Sequence, residues 1–102
     1  MTYDHNQLEV PESFVALSLV RGRLPPSATR EAVNARYELC EGVAASLEPA
    51  ALALHLDRGI AQAEVLAECG RGLLDASSGL GPAEAEWVVR RLAELLGWSE
   101  PP

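Results

Sequence analysis

Hydrophobic residues recur every three to four positions along most of the chain, which is the period of an amphipathic helix. The clearest case is residues 61–75, whose apolar side lies opposite a narrow arc of charged residues. Gly70 falls on this apolar side, where a glycine permits the close approach of a neighbouring helix. Residues 82–97 have the same period, with Pro82 at a favoured first helical position and Gly97 at the end. We expect a helix in each stretch.

A longer helical pattern begins at Ser27, a good N-cap, and continues to about Leu47. Its apolar side spans roughly 160°, which is wide for a helix that meets a single neighbour. Pro49 lacks a backbone N–H, so we expect a kink or a short break before a further helical piece that ends near Gly59. Opposite the apolar side, four glutamates form an acidic ridge: Glu31, Glu38, Glu41 and Glu48.

The segment before this helix is ambiguous between helix and strand. Pro11 suits the start of a short helix over residues 11–19, whereas the alternation of Val15, Leu17 and Leu19 suits a strand. A strand would need a partner strand, and no other segment of the chain offers one. We therefore favour a helix here.

These patterns predict an all-α fold, a small bundle of three to five helices with an N-terminal arm. A chain of 102 residues supports one small domain. The predicted organisation is an arm over residues 1–26, a helical bundle over residues 27–97 and a tail over residues 98–102.

Charge and hydropathy narrow the classes of function. The formal net charge of −7 and the pI near 4.7 disfavour nucleic-acid binding, which requires a basic surface. The mean hydropathy of +0.03, with no uninterrupted apolar run of about 18 residues, predicts no membrane span. The first seven residues lack the basic and apolar regions of a secretory signal, so we expect a cytoplasmic protein.

The residues that could perform chemistry are few and widely spaced. Cys40 and Cys69 both fall on apolar helix sides, and neither His5 nor His55 has the close spacing of a metal-binding motif. We predict no metal, no cofactor and no catalytic site. If the protein were an enzyme that uses a cysteine nucleophile, one thiol would react quickly with iodoacetamide at neutral pH.

Arg36 and Trp87 interrupt the helical patterns. Arg36 projects from the apolar side beside Tyr37, so its guanidinium must reach water, an ion pair or a partner. Trp87 lies about 80° from the apolar side of its helix, near Arg91, where burial of that side leaves the indole outside. Either the N-terminal arm or the Trp98 tail covers this indole, or it is an interface anchor.

Three stretches resemble a family of short proteobacterial helical proteins that genome labels sometimes call ATPase with chaperone activity. They are residues 10–17 (VPESFVAL), 36–41 (RYELCE) and 87–96 (WVVRRLAELL). The label implies a phosphate-binding loop, but the chain has no GxxxxGK[ST] motif and no lysine. The resemblance therefore implies at most a link to chaperone or protease machinery as an adaptor or partner.

Together these features predict a non-enzymatic acidic protein that acts through protein–protein contacts, as an adaptor or accessory subunit and as a homodimer. Its interface candidates are Trp87, Arg91, Arg36, Tyr37, Glu31, Glu38 and Glu41. The alternative is an acidic regulator that mimics nucleic acid to bind a basic protein. Its binding would weaken strongly with salt.

Overall fold

The computed structural model describes residues 10–19, 23, 25–26 and 28–98, and in this part of the chain it contains helices and no strand. The α-helices are α1 (Glu12–Val15), α2 (Arg30–Leu56), α3 (Gln62–Leu73) and α4 (Pro82–Leu96). Single 3-10 turns follow α1 at Ala16–Ser18 and α3 at Ala76–Ser78. The predicted all-α bundle of three to five helices is confirmed.

The chain divides into two compact units, one on each side of the Leu39–Cys40 bond. The predicted arm, bundle and tail stay a prediction. In the first unit Phe14 is buried and its ring meets Tyr37 edge to face, with the ring centroids 5.6 Å apart. Phe14 belongs to α1, so the helical alternative for this segment is confirmed. Pro11 lies just before the helix, as its N-cap residue.

Helix α2 begins later than the sequence pattern predicts. The hydroxyl oxygen of Thr29 accepts a hydrogen bond from the backbone N–H of Ala32 at 3.1 Å, so Thr29 is the capping residue. Ser27, the predicted N-cap, lies outside the described residues. The predicted break near Pro49 is wrong, because α2 continues through this proline to Leu56.

The second unit has its core where α2, α3 and α4 pack together. The buried residues of this cluster are Ala51, Val65, Leu66, Leu92 and Ala93. The turn after α2 positions the end of that helix against α4: the His55 ring hydrogen-bonds through Nδ1 to the carbonyl of Ile60 at 2.7 Å and contacts Trp98 edge to face. Gly59 in this turn has a φ of 70°, which a glycine adopts without strain.

Candidate interaction surfaces

Trp87 is buried, with only 8% of its surface exposed. This burial agrees with the alternative in which another part of the chain covers the indole, and not with an exposed indole beside the packed side of α4. The reason is that α4 is packed over more of its circumference than its apolar side predicts, since Trp87 and Ala93 are buried together with Val88 and Leu92. A buried indole is unavailable as an anchor for a partner.

Arg91, a second interface candidate, is bound to a third candidate, Glu41. Arg91 Nε lies 2.9 Å from Glu41 Oε1, and Arg91 Nη2 lies 2.8 Å from Glu41 Oε2. Arg91 Nη1 also donates to Glu94 Oε1 at 3.0 Å. These hydrogen bonds raise the pKa of Arg91 above its ordinary value, so the guanidinium stays charged. The bidentate pair fixes α2 against α4 within the second unit.

The acidic ridge is less accessible than the sequence predicts. Glu31 and Glu38 are exposed in the first unit, but in the second unit Glu41 is half-buried in its pair with Arg91, and Glu48 is also half-buried. Fewer of the four glutamates than predicted are therefore accessible as carboxylates that could imitate phosphates. The two remaining candidates, Arg36 and Tyr37, are half-buried in the first unit.

Neither cysteine is in the environment of a reactive thiol. Cys40 is fully buried and Cys69 is half-buried. Burial, followed by the charge of Glu68, raises the pKa of Cys69, which lowers its thiolate fraction at neutral pH. Among the described residues no group of three or more His, Cys, Asp and Glu side chains could hold a metal ion. His5 lies outside the described residues.

A groove of about 740 Å³ runs between α3 and α4. Five residues of α3 and its C-cap residue, Leu74, line one wall at three- and four-residue spacing: Ala63, Leu66, Ala67, Gly70, Arg71 and Leu74. Six residues of α4 line the other: Pro82, Ala83, Ala85, Glu86, Val89 and Arg90. Most of these side chains are small and apolar, so the groove can admit a bulky apolar surface from outside.

Charge and exposure distinguish the edge of this groove from its interior. Leu74 is 59% exposed, and no carboxylate of the described residues pairs with Arg90, although Glu86 was positioned to do so one helical turn away. Arg71 pairs with Glu68 on the solvent side of α3. The groove therefore has an apolar interior with an arginine on each wall, and Glu86 lies beside Arg90 on the α4 wall.

A second unusual surface lies on α2 between Gly42 and Leu56. We define its eight exposed residues as the outer face of α2: Gly42, Ala45, Ser46, Pro49, Ala50, Leu52, Ala53 and Leu56. None of them is charged, and the Ser46 hydroxyl donates to the carbonyl of Val43 in its own helix at 2.9 Å. A solvent-facing helix surface normally carries charged side chains.

Judged by length and composition only, α2 is also long and apolar enough to cross a membrane. Its most apolar window of 18 residues has a mean hydropathy of 1.2, and only 17% of that window is buried. Two features connect this helix to the bundle instead: Ala51 lies in the core of the second unit and Glu41 binds Arg91. Such a window also occurs in core helices of soluble proteins, so it is weak evidence by itself.

No protein-family model, curated protein or solved structure matches the chain. The family resemblance noted in the sequence stays a prediction. The groove between α3 and α4 is thus the feature from which function is inferred.

Proposed function

We propose that the protein is a non-enzymatic cytoplasmic adaptor that binds an amphipathic helix of a partner protein in the groove between α3 and α4. The groove itself carries this proposal. It follows α3 for about three turns and α4 for about two, and the residues along each wall repeat at the spacing that a third helix needs for packing. Short side chains at Ala63, Ala67 and Gly70 allow the axis of an added helix to come close.

The groove also defines the chemistry of this partner helix. Its inserted side chains are apolar, because burying a polar group against these alanines would leave its hydrogen bonds unmade. Its flanking positions carry aspartate or glutamate, because Arg71 and Arg90 lie on opposite walls and the guanidinium of Arg90 has no carboxylate partner among the described residues. The expected occupant is therefore an apolar helix with acidic edges.

Photo-crosslinking in the native host tests this proposal. Benzoylphenylalanine at position 67, inside the groove, is compared with the same residue at position 53, on the outer face of α2. We expect a partner that crosslinks from position 67 only, through a peptide with apolar residues at helical spacing and acidic neighbours. The absence of a crosslink specific to position 67 would contradict the proposal.

A synthetic copy of the crosslinked peptide then measures the contribution of the groove. We expect Leu74→Glu and Arg90→Glu each to weaken its binding to the purified protein by about tenfold or more, through a buried like charge and a lost ion pair. Leu56→Glu is the matched control, because it places the same charge on a leucine outside the groove that is 70% exposed, against 59% for Leu74. Equal effects of Leu74→Glu and Leu56→Glu would rule out the groove as the binding site.

A further inference from the structure

Glu86 is a carboxylate in the lining of a groove whose other charged residues are arginines. It lies exposed on the α4 wall, one helical turn before Arg90. A glutamate four residues before an arginine is well placed for an ion pair within a helix. Neither residue, however, makes an ion pair with a described residue. Both charges are therefore available to side chains that enter the groove from outside.

Arg71 lies across the groove from this stretch of α4. A Cβ built at Gly70 would lie 3.4 Å from Val89 Cγ2, so this part of α3 is beside Val89. Arg71 directly follows Gly70, and Val89 lies between Glu86 and Arg90 in the sequence of α4. A helix that occupies the groove thus meets a positive charge on its α3 side and one charge of each sign on its α4 side.

Covering Glu86 affects the free energy of binding according to what the partner helix places against it. A carboxylate that loses water and gains no hydrogen bond or counter-charge is costly to bury. An acidic residue at that position adds repulsion, whereas a lysine or arginine gains an ion pair. Glu86 therefore discriminates among amphipathic helices that Arg71 and Arg90 alone would bind equally well.

We propose that Glu86 is a specificity-determining residue of the groove, which selects a partner helix with a basic residue one turn from the acidic residue that binds Arg90. This inference rests on the proposed adaptor function and adds one basic position to the acidic edges of its partner. On the edge that faces α4, the partner carries lysine or arginine and, three or four positions away, aspartate or glutamate. On the edge that faces α3, it carries an acidic residue for Arg71.

Charge reversal on both sides of the contact tests this selection, with a synthetic copy of the peptide that crosslinks from position 67 as the probe. Glu86→Arg should weaken its binding by about tenfold or more, because like charges then face each other. A peptide whose basic residue is replaced by glutamate should lose a similar factor against the wild-type protein. The two reversals together should return the dissociation constant to within about threefold of the wild-type value, as measured by calorimetry.

Glu64→Arg is the matched control for these measurements. It makes the same change in net charge at an exposed position of α3 that does not line the groove. Because salt screens charges that are not in contact, it should change the dissociation constant by less than about twofold. Circular dichroism checks that each variant is folded. Equal losses from Glu64→Arg and Glu86→Arg would show an effect of net charge only and overturn the role of Glu86.

The absence of lysine from this chain permits a direct test of the contact. A carbodiimide couples a carboxylate to an amine as an amide, so a lysine of the probe peptide can react only with carboxylates of this protein. With lysine at the basic position of the peptide, we expect an amide bond to Glu86, located by mass spectrometry and lost in Glu86→Gln. Amide bonds from this lysine to other carboxylates only would overturn the proposed contact.

These outcomes separate the role of Glu86 from the adaptor function itself. If no partner crosslinks specifically from position 67, the adaptor function fails and the role of Glu86 fails with it. If a peptide does crosslink there but has no basic residue one turn from an acidic one, only the role of Glu86 is overturned. The same holds if this peptide binds Glu86→Arg as tightly as the wild-type protein.

Discussion

Helix α4 and the second half of α2 belong to the same unit but use their surfaces in opposite ways. On α4 the exposed positions include Glu86, Arg90 and Glu94, and the rest of the helix is largely buried. On α2 between Gly42 and Leu56 the one charged residue, Glu48, is half-buried, and the exposed positions are uncharged. The exposed side of α4 therefore carries charge, whereas the exposed side of this part of α2 does not.

This difference distinguishes a helix surface that faces solvent from an exposed helix surface that is apolar. The polar arc of α4 is what a helix at the surface of a monomer presents to solvent. The apolar outer face of α2 gains free energy only when something covers it. The most informative experiments therefore make the same kind of substitution in both helices and compare the change in the free energy of unfolding.

The largest difference is expected from leucine truncation. Leu92→Ala on α4 should lower the free energy of unfolding by about 3–4 kcal/mol, because the side chain is fully buried and its removal leaves a cavity. Leu52→Ala on α2 should lower it by only about 1 kcal/mol in the monomer, because 38% of its surface is already exposed to water. Urea unfolding at micromolar protein concentration measures both. Similar losses would mean that Leu52 is covered in the monomer.

The next largest effect concerns Pro49, which lies inside α2. A proline in a helix interior costs about 3 kcal/mol relative to alanine, partly offset by the smaller conformational entropy it leaves to the unfolded chain. Pro49→Ala should therefore raise the free energy of unfolding by about 1–2 kcal/mol, as measured by urea unfolding. A loss of stability would show that neighbouring residues pack against the ring of Pro49.

Pro49→Ala is compared with a second variant on the same face of α2. Gly42→Ala, on the same exposed face and with no atom within 4 Å of its added Cβ, is the control for helix propensity. It should raise the free energy of unfolding by about 0.5–1 kcal/mol. A larger gain from Pro49→Ala than from Gly42→Ala would show that α2 retains a helix-weakening residue at the centre of its outer face.

Periodicity was sufficient to predict the helices and their core sides, because a 3.6-residue repeat directly sets which residues face a neighbour. Val65, Leu66 and Leu73 are buried on α3 as that repeat predicts. Burial of Trp87 does not follow from periodicity, because a helical wheel assigns one buried side, whereas α4 is buried over a wider arc. How many neighbours a helix has is a tertiary property that its own sequence does not contain.

The candidate surfaces were harder to predict for the same reason. The pairing of Arg91 with Glu41 joins residues that are 50 positions apart, so no local spacing signals it. The groove required the relative placement of α3 and α4. Gly70 did indicate where the two helices approach, since a Cβ built there would lie 3.4 Å from Val89 Cγ2, an ordinary contact distance. The lack of charge on the outer face of α2 follows from the sequence, but the exposure of this face does not.

The smallest expected effect concerns the ion pair between Arg91 and Glu41, which connects α4 to α2. Arg91 and Glu41 are each about one-third exposed, at 32% and 30% of the side chain, so solvent screens their attraction only in part. We expect a coupling free energy of about 1 kcal/mol between them, because the contact is bidentate but not fully buried. A double-mutant cycle with Arg91→Ala and Glu41→Ala, followed by urea unfolding, measures it.

Two controls test whether the Arg91–Glu41 ion pair holds α2 against α4. Arg90→Ala removes a neighbouring guanidinium that has no ion pair among the described residues, so it should change the free energy of unfolding by less than about 0.5 kcal/mol. High salt should reduce the Arg91–Glu41 coupling only partly, since the atoms are in direct contact. A coupling near zero would mean that apolar packing around Ala51 alone holds α2 against α4. Glu41 would then add nothing to the placement of α2, and only the lack of charge on its outer face would distinguish this helix from α4.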